Sequence, residues 1–127
     1  MEIGNIKFKA KRLDNNTLVE GYFYVEFGNT YIIEDRQSES MLNINEAHQV
    51  DPLTVCQFTG LTDYKGNEIW EHDLIHFVGF NHTAEVIWSE CNCAFMAVHE
   101  NKHSYWLHDV IKICKIEKIG NKFDNEK

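Results

Sequence analysis

The chain is poor in the features that would make it helical, membrane-bound or basic. It has one proline in 127 residues. No apolar run nears the ~20 residues that cross a bilayer, and no helical period of hydrophobic residues holds for long. A membrane-spanning helix and a mostly helical fold are both excluded on this reading. Basic charge is scarce: 12 Lys and Arg against 20 Asp and Glu give a formal net charge of -8. Both halves share the deficit, with five basic against eight acidic side chains in residues 1–50 and seven against twelve in 51–127. A broad grip on nucleic-acid phosphates needs the opposite balance. The start, Met1-Glu2-Ile3-Gly4-Asn5, lacks the basic-then-apolar order of a secretory signal. A cytoplasmic location is therefore expected, where thiols stay mostly reduced. Cys56, Cys91, Cys93 and Cys114 then read as core or surface thiols, not as a disulfide framework.

What is present is an ample supply of core-forming residues, 43% hydrophobic and 13% aromatic, enough for one domain or two very small ones sharing a core. Period-2 alternation dominates. Ile6, Phe8 and Ala10 alternate with Lys7, Lys9 and Lys11, and Asp14-Asn15-Asn16 makes a turn. Thr17–Phe27 reads as a strand with Tyr22-Phe23-Tyr24-Val25 apolar on both faces, followed by a Gly28-Asn29 turn and the strand Thr30–Ile33. The first third is thus a meander. Residues Asp35–Gln49 are polar and read as a connection, in which Met41–Ala47 fits a strand or a helical turn equally. Further strands are expected at Val55–Gly60, Asp73–Val78, Thr83–Trp88, Ala94–Val98, Ser104–Leu107 and Val110–Ile119, the last with a bulge near Cys114-Lys115. The expected fold is all-β with little helix: an N-terminal β-meander over 1–49, and a small barrel or rolled sheet over 50–127.

The most informative run is Val50 to Ile75. Pro52 fixes φ and biases Asp51 towards extended backbone, and Thr54 is expected to start a strand in which Val55 and Gln57 alternate with Cys56 and Phe58. Gly60 breaks that strand, and Asp63-Tyr64-Lys65-Gly66 has the layout of a type I turn. Ile69 and Trp70 form an apolar pair before a second turn at Glu71-His72-Asp73. Each feature has a folding explanation.

Written as VDPxTVxQFTGLxDxxGxEIWExD, this block resembles the signature of the YopX family of phage and prophage proteins. Asp51, Pro52, Gln57, Gly60, Asp63, Gly66, Trp70 and Asp73 carry it. Ile6–Ala10 looks like the family's opening strand and Ile119-Gly120-Asn121 like its closing one. The resemblance implies an all-β, self-associating protein encoded by phages or prophages, whose C-terminal part is similar to SH3-like barrels; the cytoplasm expected above is then that of a bacterial host. Where the family typically has Glu-Gly-Asp, this chain has Glu71-His72-Asp73. Glycine there implies a positive φ, which His tolerates better than most residues do.

Chemistry is weakly signalled. Cys91-Asn92-Cys93 pairs two thiols, His72 and His76 lie four apart, as do His99 and His103, with His108 beyond. A zinc-binding structural module on these residues is an alternative, but CxC is a poorer zinc signal than CxxC, and residues four apart on a strand chelate one ion poorly. No metal ligand, cofactor or catalytic residue is assigned. Asp63, Glu68, Glu71 and Asp73 are expected to be solvated turn acids, and no nucleophile or phosphate-binding motif occurs. The expected activity is non-enzymatic binding. Homo-oligomerisation through Tyr22, Phe23, Tyr24 and Val25 is expected, with a bacterial host protein as a further partner. The competing reading is a nucleic-acid-binding regulator using the strip Lys7, Lys9, Lys11 and Arg12, whose even spacing fits the solvated face of a strand.

Overall fold

The computed structural model describes residues 6–34, 47–80, 82–99 and 103–124. Among the described residues strand dominates, in antiparallel sheets with one short α-helix, in agreement with an all-β fold. The chain divides into two compact units, Met1–Gln57 and Phe58–Glu126.

In the first unit, β1 (Phe8–Lys11), β2 (Leu18–Glu26), β3 (Asn29–Glu34) and β4 (Ala47–Val50) form a sheet in the order β4-β3-β2-β1. Cys56 and Gln57, the first residues of β5 (Cys56–Thr62), pair with Lys9 and Phe8 on the free side of β1. Alternation sends Ala10, Val19, Ile32 and Val50 to one buried cluster, with Phe8 and Val55 packed against it. Gly21 sits where no side chain fits, since a Cβ there would lie 1.9 Å from the Ile33 carbonyl oxygen.

Three expectations need correction here. The β2–β3 turn is Phe27-Gly28, one residue earlier than Gly28-Asn29, and Asn29 pairs with Glu26 as the first residue of β3. Both turn residues have positive φ, 51° and 79°, the combination that matches strand twist in a two-residue hairpin. The supposed connection Asp35–Gln49 ends in a strand, because β4 pairs with β3 from Ile33↔Ala47 to Thr30↔Val50. The rest of that connection, including nearly all of Met41–Ala47, lies outside the described residues. Thr54 does not start a strand. Pro52–Thr54 is a single 3-10 turn, N-capped by the Asp51 carboxylate, which accepts from Leu53 N–H at 3.0 Å.

In the second unit the remainder of β5 pairs with β6 (Glu68–Trp70), with a bulge between Phe58 and Leu61. Gly60 lies in that bulge at φ 82°, where the strand bends and continues without ending. The other strands are β7 (Asp73–Phe77), β8 (Thr83–Ser89), β9 (Ala94–His99), β10 (Ser104–Trp106) and β11 (Ile116–Asn121), in the order β10-β9-β8-β7-β11. Ile69, Ile75, Phe77, Ala84, Val86, Ala97, Leu107, Val110 and Ile116 make the core. The five-stranded sheet ends on β10 and β11 and does not close on itself.

The strands expected at Ser104–Leu107 and Val110–Ile119 are interrupted by a helix, α1 (Leu107–Ile113). Leu107, Val110, Ile111 and Cys114 recur at the helical spacing i, i+3, i+4, i+7, and all four pack into or against the core. Asp109 in its first turn and Lys112 in its last suit the helix dipole. The change of face attributed to a bulge at Cys114-Lys115 is this helix, and the register shift of β11 falls between Lys118 and Gly120.

Candidate functional site

Two of the signature carboxylates are buried, which overturns their reading as solvated turn acids. Asp63 is 5% exposed and Asp73 fully buried, while Glu68 and Glu71 are half-buried. The Asp63-Tyr64-Lys65-Gly66 turn forms as expected, with Gly66 N–H donating to the Asp63 carbonyl at 3.0 Å. The Asp63 side chain does more than start it. Its Oδ1 accepts from Lys65 N–H at 2.9 Å and Asn67 N–H at 2.8 Å. Its Oδ2 accepts from Asn67 Nδ2 at 3.1 Å and from Lys118 N–H, in β11, at 3.0 Å. Burial alone would push this carboxyl up, but the N–H donors outweigh it and hold the group below the usual carboxylate range.

Asp73 closes the other turn. It accepts from Trp70 N–H at 2.6 Å and from Asn121 Nδ2 at 2.8 Å, and Lys118 Nζ lies 3.2 Å away. Asn121 in turn donates to the Glu71 carbonyl at 3.2 Å, and Lys118 Nζ to the Glu68 carbonyl at 3.3 Å. His72 lies between at φ 68°, the positive value expected from the missing glycine. Its Nδ1 is 2.9 Å from Glu85 Oε2, and its ring meets Phe123 edge-on at 5.3 Å.

These contacts have a common geometry. One edge of β11 is laddered to β7. Ile116 and Lys118 point their backbone groups the other way, where the Ile116 carbonyl accepts from Tyr64 N–H at 3.1 Å and Lys118 N–H meets Asp63. On β6, Trp70 N–H is taken by Asp73. The signature acids therefore satisfy backbone donors that no strand partner reaches. Trp70 itself is buried against Phe58, ring centroids 5.2 Å apart. Asp51 and Thr54 do comparable work in the first unit: Thr54 Oγ1 donates to the Asp51 carbonyl at 2.8 Å and accepts from Lys11 N–H at 2.9 Å.

The four residues expected at an oligomer interface lie together on β2, divided between its faces. Phe23 and Val25 share the face of Val19, and Tyr22 and Tyr24 take the opposite one. Tyr22 is 41%, Phe23 43% and Val25 62% exposed; Tyr24 stacks on Tyr31 at 5.0 Å, and Phe23 meets Phe8 edge-on at 4.7 Å. The basic strip is largely engaged. Lys7 pairs with Glu20 at 3.5 Å, and Arg12 forks onto Asp14 at 3.0 and 2.6 Å, holding that carboxyl below its usual range. Lys11, expected on a solvated face, is only 6% exposed.

A family model described as YopX protein matches residues 7–127. The chain belongs to the YopX family. No curated protein matches it. The match covers nearly the whole chain, including the signature block and the closing strand.

One feature of this YopX family member was invisible in its sequence. A cavity of about 320 Å³ in the second unit is lined by Phe77, Phe80, His82, His99, His103, Tyr105, Val110, Ile113 and Cys114. His99 is its centre: Phe77, His82 and Tyr105 meet the imidazole edge-on at 4.9, 5.4 and 5.2 Å. The i, i+4 pair His99 and His103 is joined through the backbone, with His99 N–H donating to the His103 carbonyl at 2.9 Å. Cys91 and Cys93 are exposed in the β8–β9 turn. Among the described residues no group of three or more His, Cys, Asp or Glu is placed to hold a metal ion. Among them, too, no helix is long and apolar enough to cross a membrane.

Proposed function

We propose that this YopX family protein acts by binding and self-assembly, without chemistry of its own. The observation that carries this reading is the β2 strand. Its Tyr22, Phe23 and Val25 are each more than two-fifths exposed, and the adjoining turn presents Phe27 at 95% exposure. Single exposed apolar residues are ordinary, but the exposed run of Phe23 and Val25 on one face of β2, with Phe27 beside it in the turn, marks an association surface. The long, regular pairing of β2 with β3, six residue pairs from Gly21↔Glu34 to Glu26↔Asn29, holds that run in a fixed presentation. A second copy of the chain is the expected occupant, in keeping with the family resemblance.

Light scattering of the intact chain across micromolar concentrations tests it. A dimer or larger species is expected, reduced towards monomer by Val25→Lys or by Tyr22→Lys. The two substitutions lie on opposite faces, so the more disruptive one identifies the face used. A wild-type monomer throughout that range overturns the proposal.

The finer readings follow the same line. The second unit, with short antiparallel strands and tight turns, is read as an SH3-like roll left open along one seam. The setting is a phage or prophage gene expressed in a bacterial cytoplasm. A net charge of -8 supports a further, host-protein partner, one whose own surface is basic. The nucleic-acid reading is weakened by the pairing of Lys7 and Arg12 and the burial of Lys11. A gel shift at physiological salt separates these: tight binding restores the nucleic-acid reading.

A further inference from the structure

The cavity of the second unit plays no part in the signature contacts or in the proposed association, and its walls have a distinct chemistry. We propose that it binds a small planar aromatic carboxylate. Its volume of about 320 Å³ is at the lower end of ligand pockets, and a dry cavity of roughly 150 Å³ already admits benzene. One or two fused rings fit; a larger ligand does not.

The wall selects for a ring. Phe77, His82 and Tyr105 stand nearly perpendicular to the His99 imidazole, at interplanar angles of 85°, 75° and 89°. Such an array offers both faces and edges, which complement the quadrupole of another aromatic ring better than they do an aliphatic chain. Val110, Ile113 and Cys114 supply the aliphatic and thiol side.

The polar groups select for a hydrogen-bond acceptor. The chain carries 20 acidic side chains, yet none of the described residues lining this cavity is Asp or Glu. Its hydrogen-bonding groups are the imidazoles of His82, His99 and His103, the Tyr105 hydroxyl and the Cys114 thiol. His82, His103 and Tyr105 are exposed, so the donors stand towards the opening while Phe77 and Val110 are buried beneath. A ligand with an apolar ring inside and one acceptor group at the mouth matches that order. Without Arg or Lys among the described lining residues, a carboxylate suits the site better than a phosphate, which needs more donors.

The test uses the full isotope-labelled chain and three probes: 2-naphthoate, the neutral 2-naphthylmethanol, and cyclohexanecarboxylate. Side-chain NMR resonances of His82, His99, His103, Phe77 and Tyr105 report the location, and the rate of maleimide reaction at Cys114 reports occupancy. We expect 2-naphthoate to bind about tenfold more tightly than either control, to shift those resonances and to slow Cys114 alkylation. His99→Gln removes the central ring and should weaken binding. Because His99 also packs on its neighbours, Ile113→Trp is the second variant: residue 113 is 80% exposed at the end of α1, and a bulky side chain there obstructs the mouth without disturbing the core. Absence of 2-naphthoate binding at millimolar concentration overturns the proposal. So does equal binding of cyclohexanecarboxylate, equal binding of the alcohol, unaltered binding to the Ile113→Trp variant, or shifts confined to other parts of the chain.

Discussion

The two units of this protein complete their sheets by different means. In the first, neighbouring strands from β4 to the start of β5 are joined backbone to backbone, and side chains serve mainly to fill a small core. In the second, β11 is laddered on one edge only, and its other edge is met by a turn, with the Asp63 carboxylate and Tyr64 N–H taking the place of a strand. A ladder is indifferent to most side chains. A seam held by carboxylates is not, because each buried acid serves several donors whose loss leaves N–H groups unsatisfied. This is why the informative pattern in the sequence gathers around Asp63 and Asp73, while the meander carries little beyond alternation.

The comparison predicts where each unit is brittle. The first should fail through its backbone. Gly21→Ala places a methyl group 1.9 Å from the Ile33 carbonyl oxygen and 2.8 Å from its carbon, so the β2–β3 ladder itself has to part. A loss of about 4 kcal/mol is expected, at the upper end for one substitution. Hydrogen exchange should show the amides of β2 and β3 losing protection first. Unchanged protection there would mean that the ladder yields more easily than its pairing suggests.

The second unit should fail through its acids. Asp73→Asn keeps the shape but sets an amide NH2 against donors from Trp70, Asn121 and Lys118, and should cost about 3 kcal/mol in chemical denaturation. Asp63→Asn, with its NH2 at the Oδ2 position, sets a donor against both Lys118 N–H and Asn67 Nδ2 and should cost somewhat less, about 2 kcal/mol at neutral pH. This second difference depends on pH with a definite sign. The Asp63 carboxyl is held below its ordinary value in the folded chain, so its stabilisation is complete above the unfolded pKa near 3.9 and is lost as pH falls through the lower folded value. The gap between wild type and Asp63→Asn should therefore be constant from pH 7 to about 5 and narrow below about 4. A gap that widens in acid would refute the assignment of Asp63 as a charged acceptor.

How far the sequence could be read follows the same division. Alternation located most strands, and Asp-x-x-Gly located the turn at Asp63, because both are set by residues within a few positions of each other. Positive φ at His72 was legible only through the family resemblance, which sets a glycine at that position. Burial of Asp63 and Asp73 was not, since it depends on Lys118 and Asn121, about fifty residues further along the chain. Helix α1 was missed because seven residues between short strands fit either period, and only core packing of Leu107 and Val110 decides. The cavity around His99 was beyond reach: it gathers residues from Phe77 to Cys114 whose meeting depends on strand order and on that same helix. Phe27 shows the limit in miniature, because a Gly-Asn pair is the better local turn and the register of β2 on β3 overrides it.

The smallest expected effect is the most discriminating for the seam. His72 adopts φ 68°, a conformation that glycine takes without cost, so His72→Gly relieves strain of the order of 1 kcal/mol. Against this stand the approach of Nδ1 to Glu85 and the edge contact with Phe123, both removed by the substitution. The two should nearly cancel, leaving the melting temperature unchanged or slightly raised. His72→Asn separates them, because Asn loses the same contacts as glycine but keeps part of the strain at positive φ. It should therefore melt below the glycine variant. A drop of several degrees in His72→Gly would show that the ring and its Glu85 contact hold the turn, and that His72 joins Asp63, Asp73, Asn121 and Lys118 in closing the seam.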